Sequence, residues 1–176
     1  SSAASDVYKR QIDPVTDCVL DEDSYLEMDT IQLRGVDRTT RSTSAVLGKG
    51  AKIVVRERIM TDGDEEAVTK FHVELNGEDS GADLVSRSVA RGNSHQAFYS
   101  VVEGNNRCTG HSACDAILAD NGKVDAQPAL NAANVDAALI HEAAIGKIAG
   151  EQILKLCSLG LTREEAEEKI IEGFLK

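Results

Sequence analysis

The chain has 176 residues, of which 41% are apolar, 28% charged and only 3% aromatic, with no tryptophan, a balance that reads as a folded globular domain rather than a disordered chain. Its formal net charge of −11 argues against a nucleic-acid partner, which needs a concentrated basic face, and against an anionic membrane surface. No run approaches the roughly 18 consecutive apolar residues of a membrane span, no signal peptide is visible, and cysteines at 18, 108, 114 and 157 without a C-x-x-C pair argue against structural zinc and for free thiols in a reducing cytoplasm.

Residues 1–11, SSAASDVYKRQ, have little apolar periodicity and resemble a translated adapter tail. They are read as a non-native tail and excluded from fold reasoning. The natural chain is expected to extend further upstream, which would make this sequence a C-terminal portion.

From about 24 to 146 the pattern is β. In KFHVELNG, Phe71, Val73 and Leu75 alternate with His72, Glu74 and Asn76, and an Asn-Gly turn signal closes the run. AKIVVRERIM places Ile53 and Val55 on one phase, then charges. QAFYSVVEGNN and DAILADNGK are short runs ending in Gly and Asn. Glycines at 77, 81, 92, 104, 110 and 122 cut the chain into strand-sized segments. Short strands at near-regular spacing fit a sandwich, a barrel or a β-solenoid. No strict repeat motif chooses among them. A core poor in aromatic residues suits repetitive β architectures, which stack small side chains layer on layer.

From about 149 the period changes. AGEQILKLCSLG puts Ile153, Leu154, Cys157 and Leu161 at helical offsets, and Gly160 is a helix stop. LTREEAEEKIIEGF opens with Thr162 and carries Glu165 three residues on, a capping box, with Ala166, Ile170, Ile171 and Phe174 as its apolar face. The domain division is therefore a β core over 12–148 and a helical hairpin over 149–176. The hairpin is expected to cap the open end of the β stack and to offer a docking surface.

Candidate chemistry clusters late in the chain. Cys114 opens the DAIL run and suits a thiolate ligand or a nucleophile, although free cysteine is most often buried and inert. Cys108 reads as loop-borne, Cys157 as core, and Cys18 lies in an irregular acidic segment. His141 and Glu142 are adjacent, so in a strand they point to opposite faces. His111 reads as solvated, His72 and His95 as exposed. Thiolate, imidazole and carboxylate together suit iron or zinc. A nucleophilic pair of Cys114 with His111 or His141 is the alternative.

At SRSVARGNS, then CDAILADNGKVDAQPAL, then HEAAIGKIAGEQILKLCSLGLTREEAEEKIIEGFL, the chain resembles the core domain of the SufB/SufD family of iron–sulfur cluster assembly proteins. The resemblance spans about residues 24–176. It implies a right-handed parallel β-helix followed by C-terminal helices. It further implies a SufC-like ABC-type ATPase bound through the C-terminal helices, with Ile153, Leu154, Ile170 and Phe174 as docking residues. Scaffold subunits of the family pair through their β-helix cores, as a homodimer or a SufB/SufD-type heterodimer. Cys114 matches the interface cysteine of SufB-type members, Glu142 the glutamate after the motif histidine, and His141 that histidine. These three are the expected iron ligands for a transient iron–sulfur cluster. Ile140 departs from the pattern, since an acidic residue is common there in SufB. The chain is similar to short SufB-like forms of minimal two-component systems, which are cytoplasmic scaffolds rather than enzymes, ATP hydrolysis belonging to the partner. A SufD-like adaptor without a cluster is the second reading. A carbohydrate-active β-helix enzyme is a remote third, disfavoured by three tyrosines, three phenylalanines and no tryptophan.

Overall fold

The computed structural model describes residues 10–33 and 35–176. Most of the tail expected over 1–11 lies outside the described residues, and Gln11 already belongs to a strand. The chain runs through β1 (Gln11–Ile12), β2 (Val15–Leu20), β3 (Tyr25–Gln32), β4 (Arg38–Leu47), β5 (Lys52–Thr61), β6 (Glu66–Leu75), β7 (Ser80–Ala90), β8 (His95–Gly104), β9 (Cys108–Leu118), β10 (Lys123–Ala132) and β11 (Ala137–Lys147), then α1 (Gly150–Ser158) and α2 (Arg163–Phe174).

From β2 onward, even and odd strands separate into two parallel sheets, with β1 joining the even one. One runs β1-β4-β6-β8-β10, with β2 also on β4; the other runs β11-β9-β7-β5-β3. Each strand pairs with the strand one coil later, so Tyr25 meets Lys52, Arg38 meets Glu66 and Lys52 meets Gly81, offsets of 27, 28 and 29 residues. The molecule is a parallel β-solenoid of about five turns with two C-terminal helices, as the sequence led one to expect. The varying offset explains why no strict repeat is legible: the strands keep register while the turns between them gain or lose a residue.

The inner faces of the two sheets make the core. Leu47, Ile53, Val55, Val73, Leu75, Leu84 and Val102 are fully buried. Phe71 and Phe98 meet edge to face at 5.8 Å, a favoured aromatic geometry. Strands paired on both sides and stacked inside a coil need only small and aliphatic side chains to fill the narrow interior, so the low aromatic content is no handicap.

The turns stack as tightly as the strands. Gly63, Gly92 and Asp120 occupy equivalent left-handed positions at φ of 57, 60 and 54°. Asn121 donates its side-chain amide to Asn93 at 3.1 Å, and Asn105 does the same to Asn76 at 2.7 Å. Gly77 is the tightest point: a Cβ there would stand 2.0 Å from the backbone of Gly48 and Lys49 in the turn of the previous coil. Gly77→Ala is therefore expected to cost about 1–3 kcal/mol in urea unfolding. At Gly63 a Cβ would meet nothing within 4 Å, so Gly63→Ala should lose only the smaller penalty of its positive φ.

The second helix opens on the expected capping box, with Thr162 and Glu165 satisfying each other's backbone N–H groups at 3.1 and 2.8 Å. The hairpin does not cap the end of the coil. It lies against the outer face of the odd-numbered sheet, where Ile171 and Leu175 share a pocket with Leu33 and Met60. Ile170 and Phe174 share another with Ala116, Ile117 and Ile145. The outward positions near the C-terminal ends of these strands are apolar, and Val89 there is fully buried. Burying that stripe favours the flank over the end. The last coil, β10 and β11, stays open, with Leu130, Val135 and Ile140 exposed. No helix among the described residues is long and apolar enough to cross a membrane.

Candidate functional site

Cys114, His141 and Glu142 all lie on the final pair of odd strands. β11 pairs with β9 so that Ala143 stands beside Cys114, Glu142 beside Ala113, His141 beside Ser112 and Ile140 beside His111. Strand alternation then divides the candidates. Cys114 and His141 point into the coil; Glu142 and His111 point out. The opposition of His141 and Glu142 expected from their adjacency is present.

The inner half is closed. Cys114 is 1% exposed, and burial pushes its thiol up to about 11, with the charges of Asp115 and Glu57 adding to the effect. A thiol held there is protonated at neutral pH and a poor ligand or nucleophile. Both ring nitrogens of His141 are enclosed without a hydrogen-bond partner. Burial, and secondarily the neighbouring His111, lowers its pKa, so His141 is a neutral imidazole with its lone pair uncommitted.

The outer half is polar and half-exposed. His111 donates from Nδ1 to Asp83 on β7 at 2.7 Å, and its Nε2 stands 3.6 Å from a Glu142 oxygen. The hydrogen bond to Asp83 is the main cause of its raised pKa. His111, read from sequence as solvated, is thus held between two carboxylates. Among the described residues, no three His, Cys, Asp or Glu side chains converge into a set able to hold a metal ion.

One polar residue escaped the sequence reading. Glu57 sits in β5 on the same phase as Ile53 and Val55, inside the coil and 1% exposed. Its column runs Glu57, Ser86, Cys114 across three successive strands. Thr69 donates to its carboxylate at 2.9 Å, Ser86 at 3.0 Å, and Arg41 lies 3.4 Å away. Burial nevertheless raises its pKa, with these partners opposing. The signal was present: an inward phase of Ile53, Val55, residue 57, Ile59 makes an inner carboxylate unavoidable if the strand continues.

The remaining expectations are placed as follows. Cys108 is no loop residue; it begins β9 and is buried, because β9 starts six residues before Cys114. Cys18 lies in regular strand β2 and packs at the core's edge. Cys157 is half-buried and all four thiols are free. Of the docking candidates, Ile153 is buried at 4% and Leu154 is 70% exposed. Ile170 and Phe174 are half-buried against the ends of β9 and β11.

Comparison with known proteins follows the same residues. Residues 14–174 match the family described as "SUF system FeS cluster assembly, SufBD core domain". A protein of Archaeoglobus fulgidus named "Iron-sulfur cluster assembly SufBD family protein" is 38% identical over 125 residues, covering 70% of this chain and 32% of that protein. A namesake from Methanothermobacter thermautotrophicus is 33% identical over 135 residues, covering 76% of this chain and 33% of that protein. A third relative, from Pyrococcus horikoshii, is 32% identical over 132 residues, covering 74% and 40%. The matched region spans about a third of the length of the first two relatives.

Proposed function

The chain belongs to the SufB/SufD family of iron–sulfur cluster assembly proteins, and from that premise we propose that it acts as a scaffold subunit on which a transient cluster is built, working with a SufC-like ABC-type ATPase in the cytoplasm. The observation that carries this reading is the placement of Cys114, His141 and Glu142 on β9 and β11, beside the open last coil. β10 and β11 are the edge strands of their sheets. Unpaired edges of this kind accept a second chain, so a homodimer or a SufB/SufD-type heterodimer would bring a second set of ligands to the first. That supplies what one chain lacks, since its three candidates are split between two faces.

Cluster and iron are cargo here. Cys114 supplies thiolate once its proton is gone. Glu142 contributes a carboxylate and His141 a neutral nitrogen. Mixed ligation holds a cluster less tightly than four thiolates, which suits a protein that must pass it on. The closed state of Cys114 means that the last coil has to open before sulfur or iron can reach it. In this reading the hairpin drives that opening, since Ile170 and Phe174 line one pocket with Ala116, Ile117 and Ile145, at the ends of the two strands that carry the ligands. An ATPase gripping exposed Leu154 and the outer side of α2 would pull on those strand ends. The scaffold turns over no substrate itself; ATP hydrolysis belongs to the partner.

Anaerobic reconstitution with ferrous iron and sulfide tests the reading. The wild type is expected to retain stoichiometric iron and sulfide, read by absorption and metal analysis, while Cys114→Ala and Glu142→Ala each lose most of both. If all three retain the same small amount, the cluster assignment fails and the chain is an adaptor of the ATPase, as SufD-type members are.

A further inference from the structure

Four histidines are present, and three of them pair with a carboxylate one coil away on an outer face. His72 Nε2 meets Glu103 at 3.1 Å and His95 Nε2 meets Asp125 at 2.7 Å. In both pairs the outer nitrogen, Nε2, is used. His111 differs. Its carboxylate partner, Asp83, takes Nδ1, and Nε2 is left facing Glu142 at 3.6 Å. At that distance the two form an ion pair when His111 is protonated, but the gap is too long for a hydrogen bond. It is close to the separation of two ligands on one tetrahedral ion, about 3.4 Å for bonds of about 2.1 Å.

The arrangement is that of a metal-ligand histidine. Such a residue donates its other ring N–H to a carboxylate, which fixes the tautomer and makes the free nitrogen more basic. Asp83 does this for His111. Glu142 projects on the same face, diagonally across from His111, and its direct neighbour in the sheet is the small Ala113, which leaves room beside both donor atoms. The side chains of His111, Asp83 and Glu142 are 38, 45 and 70% exposed, so an ion can arrive from solvent. Two carboxylates around one imidazole leave the spot negative in a chain already at −11.

We infer that His111 Nε2 and the Glu142 carboxylate form a two-donor landing site for a divalent first-row transition ion, ferrous iron in the assembly reaction, with Asp83 as the residue that orients His111. The inference deepens the scaffold reading and rests on it for the identity of the ion. Imidazole with carboxylate suits ferrous iron, and two protein donors leave further positions for sulfide, water or a second chain. The site lies on the outer face, opposite to Cys114. Iron is received outside while sulfur is held inside, and the two meet only when the last coil opens.

The test uses cobalt(II) as the probe on the whole chain, without sulfide, so that it does not depend on cluster formation. Histidine 1H–15N spectra are expected to show cobalt acting first on Nε2 of His111, with His72, His95 and His141 affected only at higher concentration. His111→Gln, which keeps a hydrogen-bonding side chain beside Asp83, and Glu142→Gln should each weaken binding at least about tenfold, and Asp83→Asn about tenfold. Circular dichroism confirms that each variant is folded. The inference is overturned if cobalt acts first on any other histidine, or if His111→Gln or Glu142→Gln binds as well as wild type. Failure of sulfide reconstitution with cobalt binding intact would instead sink the scaffold reading and leave this site standing.

Discussion

Replacing Arg41 with methionine is expected to destabilise the fold by about 3–5 kcal/mol at neutral pH, because it strips the cation from a carboxylate sealed inside the coil. Arg41 reaches Glu57 at 3.4 Å from β4, and Thr69 and Ser86 supply the remaining polar contacts. Burial dominates over these partners and raises the Glu57 pKa. A group whose pKa is raised on folding adds stability that is fully present below its unfolded pKa and fades as pH rises through its folded pKa. Removing Arg41 raises the folded value further, so the loss should be largest at about pH 8 and smaller at about pH 5, where Glu57 takes up a proton instead of staying charged. Glu57→Gln keeps the shape and the contacts with Thr69 and Ser86 while removing the charge. The Arg41→Met, Glu57→Gln double variant should therefore recover most of the loss and lose the pH dependence. Urea unfolding at the two pH values measures all of this. An equal loss at both, or no recovery in the double variant, would show that Arg41 acts by packing alone.

Glu57 also marks the limit of what the sequence discloses. Phe71, Val73 and Leu75 announce a strand because every second residue is apolar, and that rule needs only local information. The capping box at Thr162 and Glu165 is likewise local. The opposite faces of His141 and Glu142 follow from strand geometry. What lies beyond local reading is whatever depends on the next coil. Asp83 meets His111 across 28 residues and Thr69 meets Glu57 from the opposite sheet. Turns that shift the offset between 27 and 29 residues conceal the first pairing, and the second exists only once the two sheets face each other across the core. The position of the hairpin is hidden for the same reason. The outward apolar column of Met60 and Val89 that receives it becomes a column only when β5 and β7 are side by side. The strands and the helical hairpin were thus readable from the residues themselves, and their winding into a β-helix through the family resemblance. The buried carboxylate of Glu57 and the pairing of His111 with Asp83 were not.

Alkylation of Cys114 by iodoacetamide in the isolated chain is expected to be at least about a hundredfold slower than in the urea-unfolded chain at neutral pH. The thiol's rise from 9.0 to about 11 lowers its thiolate fraction about a hundredfold, and its 1% exposure restricts access further. Cys157, half-buried on α1, provides an internal reference within each digest, read by mass spectrometry. If the hairpin levers the ends of β9 and β11, adding the proposed SufC-like ATPase with ATP should raise the Cys114 rate selectively and leave Cys108, also buried, at the far end of β9, slow. Leu154→Glu, which places a charge on the exposed side of α1, should abolish that acceleration without altering the slow rate of the free chain. Fast labelling of Cys114 in the isolated chain would mean that the last coil opens on its own, and the ATPase would then have to act at a step after sulfur has arrived. Slow labelling that no partner changes would place sulfur delivery elsewhere and leave Cys114 as a core residue. Only slow labelling released by the ATPase fits a scaffold whose thiolate is withheld until iron, sulfur and a second chain are in place.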